Sequence, residues 1–169
     1  MPSIAEGNLT FEFPAGWEVS KLDEWSFYRK QFLSIGNGTK AIDVLAVEPG
    51  RTCAWLIEIK DYRQAPRTKT LEIADEIAIK VRDSLALLAA ARVNATDGDQ
   101  KAIANRALNA RSLRVVLHLE QRVKPSRLFP REIDEANVQQ KLRQRVKTID
   151  PHPMVRERAV MAGCPWTVR

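Results

Sequence analysis

Two apolar segments separated by a short turn, residues 41–47 and Cys53–Asp61, constrain this chain more than any other feature. Between them, Glu48-Pro49-Gly50-Arg51 carries a turn signal, because proline fixes φ and glycine tolerates positive φ. If Glu48 faces Cys53 across the turn, paired residue numbers sum to 101 and Asp43 faces Glu58. Side chains alternate along a strand, so Asp43, Glu58 and Lys60 share one face. Leu45, Val47 and Leu56 lie on that face too; Ile42, Val44, Ile57 and Ile59 point the other way. Both faces are otherwise apolar, which predicts central strands. Carboxylates on such strands are costly unless they are paired or bind a cation. The trio is therefore either a cross-strand ion-pair cluster or a cation site.

The rest of the chain is read around that hairpin. Residues 8–13 alternate, Pro14-Ala15-Gly16 is a turn, and residues 17–19 return, which predicts an N-terminal hairpin over 8–20. Residues 20–25 predict a short helix with Ser20 as N-cap, and residues 27–35 a strand. Asn37-Gly38 is a strong hairpin signal that would set Phe32 opposite Asp43. Residues 71–93 form one long helical pattern, with Leu71, Ile77, Val81, Leu85 and Leu88 near one face. A shorter helix over 100–110 and a strand over 112–121 follow. A strand, a helical crossover and another strand imply parallel pairing. Beyond a proline-bearing connection at 123–130, residues 132–147 predict a helix with a basic second half, Lys141, Arg143, Arg145 and Lys147. A last short helix is expected over 154–162. The fold class is α/β (α+β): a central mixed sheet, with a three-strand antiparallel meander plus a parallel strand, and helices on both faces. One domain covers 1–169, with a core over 21–121 and a C-terminal helical extension over 122–169.

The arrangement of Asp43 on one strand and Glu58-Ile59-Lys60 on the next resembles the PD-(D/E)xK nuclease superfamily, with its restriction-endonuclease-like fold. Ile42 stands where that pattern has proline. The resemblance implies hydrolysis of DNA phosphodiesters with Mg²⁺ or Mn²⁺ as cofactor, since hard divalent ions take oxygen ligands and activate water. Asp43, Glu58 and the backbone carbonyl of Ile59 would hold the metal, and Lys60 would position the attacking water. Glu24, ahead of the meander, is the candidate extra ligand, with Asp23 and Glu18 competing for the role. A homodimer or partner protein is expected where both strands are cut. The alternative is a non-catalytic nucleic-acid-binding or protein-interaction module on the same fold.

The loop after Lys60 is polar and basic. Arg63, Arg67 and Lys69 could clamp phosphate there, with Tyr62 stacking on a base; a solvated connection explains the same residues. A net charge of +6 is compatible with a polyanionic partner. No apolar run approaches the ~20 residues of a membrane helix, and the N-terminus lacks the pattern of a secretory signal. Two distant cysteines, Cys53 and Cys164, suit a reducing, cytoplasmic compartment. With two histidines, His118 and His152, and no CxxC, a zinc site is not expected. No Walker motif, GxSxG or dinucleotide fingerprint is present.

Overall fold

The computed structural model describes residues 1–122 and 133–169. A five-stranded mixed sheet in the order β3-β4-β5-β6-β7 carries the site, and a three-stranded antiparallel sheet in the order β1-β2-β8 packs behind it. The strands are β1 (Ser3–Glu6), β2 (Leu9–Glu12), β3 (Glu18–Lys21), β4 (Val44–Val47), β5 (Cys53–Asp61), β6 (Ser112–Glu120), β7 (Met154–Arg156) and β8 (Thr167–Val168). The helices are α1 (Ile73–Asn94), α2 (Gly98–Leu108) and α3 (Glu135–Val146). Among the described residues no helix is long and apolar enough to cross a membrane.

The central hairpin folds in the expected register. Val44 faces Ile57, Leu45 faces Leu56 and Val47 faces Ala54. The turn is a single 3-10 turn over Pro49–Arg51, with Gly50 and Arg51 both at positive φ. Alternation then sorts the sheet into two faces. Leu45, Val47, Ala54, Leu56, Val115 and Leu117 pack with the helices. Val44, Ala46, Trp55, Ile57 and Val116 pack with Leu9, Phe11, Phe13 and Val168 of the small sheet. The helices therefore cover one face only, where both faces were expected; the second face is closed by the small sheet and by Trp17, Trp55 and Trp166 in mutual ring contact.

β5 and β6 pair in parallel across the α1–α2 crossover, as the strand–helix–strand order requires. α1 buries Ile73, Ile77, Val81, Ser84, Leu88 and Ala91, one stripe at three- and four-residue spacing. α2 and α3 start at aspartate caps: Asp97 accepts from the amides of Asp99 and Gln100, and Asp134 from those of Ala136 and Asn137.

Four local expectations fail for physical reasons. Residues 27–35 form a helical turn over Tyr28–Phe32, because Phe27, Tyr28 and Phe32 are the buried members and that spacing is helical. The meander's first strand is instead β3, short and charged as an edge strand should be. Residues 8–13 pair with β1 rather than with 17–19. Ser20 lies in β3 and accepts a hydrogen bond from Trp25 Nε1 at 2.7 Å, so it caps no helix. Residues 154–162 supply β7, which adds to β6 in parallel, so the C-terminal segment completes the main sheet instead of forming a helical appendage. Buried Asp150 holds that junction, accepting from the amides of Val115 and His152, each at 2.8 Å. The connection expected at 123–130 lies outside the described residues.

Candidate functional site

Asp43 sits one residue ahead of β4, at the edge where the sheet ladder starts. Its Oδ2 accepts the Ile59 amide at 2.7 Å, and its own carbonyl accepts the Leu22 amide at 3.1 Å. The three preceding amides are satisfied by side chains: Ile42 N–H donates to Ser84 Oγ of α1 at 2.8 Å, Ala41 N–H to the Tyr28 hydroxyl at 3.2 Å, and Lys40 N–H to Asp83 Oδ2 of α1 at 3.0 Å. These bonds take Ile42 out of the strand alternation, and it packs on the helical side rather than with Val44.

Asp43, Glu58 and Lys60 meet as the register arithmetic expects. Two residues from α1, Glu76 and Lys80, join them. The Lys80 ammonium bridges the two strands, 2.6 Å from Glu58 Oε1 and 3.3 Å from Asp43 Oδ1. Lys60 Nζ reaches the same Glu58 oxygen at 2.7 Å and lies 3.4 Å from Glu76 Oε1. Glu76 is fully buried and also receives Lys69 at 2.5 Å and Arg67 at 2.9 Å. The side chains of Asp43, Lys60 and Lys80 are each about 15% exposed, so the cluster is largely but not wholly buried.

Burial and the neighbouring Asp43 push the Glu58 carboxyl above its ordinary value, against the pull of Lys80 and Lys60. For both lysines burial favours the neutral form, but Glu58 outweighs it and holds each ammonium protonated. Glu76 is also disfavoured as an anion by burial, yet Lys69, Lys60 and Arg67 hold its carboxyl down at about 2. Glu58 Oε2 is buried without a hydrogen-bond partner.

The other expected site residues are placed differently. Glu24 is half exposed and pairs with Lys21 at 2.8 Å, so it does not serve the Asp43 cluster. Burial and the Asp43 charge push the Asp23 carboxyl up, and its Oδ1 is buried without a partner. In the loop after β5, Arg67 turns inwards onto Glu76 and also bonds the Leu71 carbonyl, while Lys69 reaches the same carboxylate with its side chain still more than half exposed. Arg63 is held by Asp61 at 2.6 Å, and Tyr62 accepts from Arg67 at 3.4 Å. The sequence pattern set Glu76 and Lys80 mostly away from the apolar face; the signal that could have found them is their spacing, each three residues after an apolar member, Ile73 and Ile77.

The donor set does not suit a resident Mg²⁺. Among the described residues no three His, Cys, Asp or Glu side chains are grouped to hold a metal. The point between Asp43 and Glu58 is taken by the Lys80 ammonium. Ile59 gives the site its N–H, to Asp43. Two anions, Asp43 and Glu58, are already balanced by two cations, Lys60 and Lys80.

No family model matches the chain, and no solved structure matches it. It is similar to a cysteine–tRNA ligase from Neisseria meningitidis serogroup A / serotype 4A, 32% identical over an alignment of 168 positions, which takes in 82% of this chain and 24% of the ligase. The chain thus spans about a quarter of the length of that relative. This finding overturns the assignment to the PD-(D/E)xK superfamily and with it the expectation of DNA hydrolysis: the Asp43, Glu58, Lys60 pattern is short, and the similarity that extends along the chain leads to a tRNA ligase.

Proposed function

We propose that this chain is a tRNA-contacting module of the aminoacylation machinery. The observation that carries the reading is its 32% identity, along 82% of its length, to a protein named as a cysteine–tRNA ligase. Because the match covers 24% of that protein, amino-acid ligation is not proposed for this chain; contact with the tRNA is.

The chemistry of the surface supports a polyanionic partner. The net charge is +6, and Lys or Arg contacts to phosphate supply most sequence-independent affinity for nucleic acid. Arg67 is turned inwards onto Glu76, and Lys69, though exposed, is paired with the same carboxylate. A groove of about 760 Å³ runs between α3 and β7, with Arg114, Arg143, His152 and Arg156 along it and Glu135 and Glu157 at its sides. Arg143 stands exposed with no ion-pair partner among the described residues. Its neighbours Lys141 and Arg145 are paired with Glu72 and Asp75 at the start of α1. Single-stranded loops and A-form backbone are what such a groove would meet on tRNA. Free Cys53 and Cys164 fit a reducing cytoplasmic setting for this role.

A gel-shift titration with unfractionated tRNA tests the reading. A retarded complex at low salt that weakens steeply as salt rises is the expected result. Absence of any complex with tRNA at low salt would overturn it.

A further inference from the structure

We infer that the Lys80 ammonium is the built-in cation of the Asp43–Glu58 site and keeps divalent ions out of it. The geometry is that of a bridging counter-ion: one Nζ stands 2.6 Å from Glu58 and 3.3 Å from Asp43, on a helix that reaches the sheet from outside the hairpin. Its position on α1 is fixed by buried neighbours, Ile77, Val81 and Ser84, and Ser84 is itself tied to the Ile42 amide just before Asp43. The side chain therefore needs little ordering to fill the position.

Charge decides the competition. Around Asp43 and Glu58, Lys80 and Lys60 supply one cation per carboxylate, and Glu76, which Lys60 also approaches, is matched by Arg67 and Lys69; a divalent ion entering would add two uncompensated charges to a largely buried site. A buried excess charge costs several kcal/mol or drives a proton or counter-ion out. Removing the Lys80 charge reverses the balance. Glu58 and Asp43 would then face Lys60 alone, with Glu58 Oε2 already buried and unpartnered. Two hard oxygen donors left with a net negative charge are what Mg²⁺ or Mn²⁺ takes. This inference is independent of the tRNA reading, since it concerns the contact of α1 with Asp43 and β5, whereas the groove invoked there lies between α3 and β7.

Mn²⁺ is the probe. Amide signals of Val44, Glu58 and Ile59 in the full chain are followed for paramagnetic broadening, and melting is measured with and without Mn²⁺. Wild type should show no site-selective broadening at millimolar Mn²⁺ and no rise in melting temperature. Lys80→Met should bind Mn²⁺ about tenfold tighter or more and gain melting temperature with it, while Lys80→Arg, which keeps the charge, should behave as wild type. Lys80→Gln serves if the Met variant does not fold. Wild type that takes Mn²⁺ between Asp43 and Glu58 as tightly as the variant, or a folded neutral variant that takes none, would overturn the inference; the wild-type titration decides on its own if neither neutral variant folds.

Discussion

Asp43 Oδ2 accepts the Ile59 amide at 2.7 Å, so the acid that opens β4 also closes the last rung of its pairing with β5. Asp43→Ala should strand that amide and leave Lys80 with one anion fewer, a cost of about 1–3 kcal/mol. Asp43→Asn keeps an acceptor and should cost less. Urea melts of the two variants check the order; equal loss in both would mean that the charge alone, not the backbone contact, holds the site.

Glu76 makes the cluster sensitive to acid. Its folded carboxyl is depressed to about 2 from an ordinary 4.5. A depressed folded pKa means that the unfolded chain takes up the proton first. The contribution is therefore fully present above about 4.5 and is lost as pH falls towards 2, and linkage puts it at about 3 kcal/mol at neutral pH. Wild type should lose its advantage over Glu76→Gln across that window. The check is unfolding free energy against pH for both proteins, and a constant gap down to pH 2 would contradict the assignment.

Buried Asp150 satisfies the amides of Val115 and His152 from the turn between α3 and β7. Asp150→Ala should cost about 3 kcal/mol, the desolvation of two stranded donors. Hydrogen exchange should rise first at Met154–Arg156, the edge strand that this aspartate docks. Protection of β7 equal to wild type would show that its pairing with β6 suffices.

Arg143→Ala should weaken tRNA binding at every salt concentration and lower the salt slope by about one, the signature of one lost phosphate contact. Lys69→Ala, whose side chain is committed to Glu76, should leave that slope unchanged. The check is a binding isotherm at several salt concentrations for each variant.

The central hairpin was legible because its register rests on a turn that allows one pairing, and a slip by one would have turned Asp43 and Glu58 out of the helical face. The parallel strand and its crossover were legible from length and periodicity. What misled was the segment over 27–35, where three aromatics in nine residues suggest a strand unless their spacing is weighed, and the short pieces β3 and β7, whose existence depends on partners distant in sequence rather than on their own pattern. The site was half visible. Asp43, Glu58 and Lys60 lie on elements whose faces can be counted, whereas Glu76 and Lys80 hide as charged members of an otherwise apolar helical stripe. Their arrival changes the chemistry, turning two carboxylates that asked for a cation into a balanced set. A three-residue pattern on two strands could not report that.

The most direct test of the account is a competition experiment. Labelled tRNA bound to the full chain is displaced with unlabelled tRNA or with duplex DNA of equal nucleotide number, read by fluorescence anisotropy. The account predicts that tRNA displaces the label at clearly lower concentration than DNA does. Equal displacement by both, or no binding of the labelled tRNA in the first place, would contradict it.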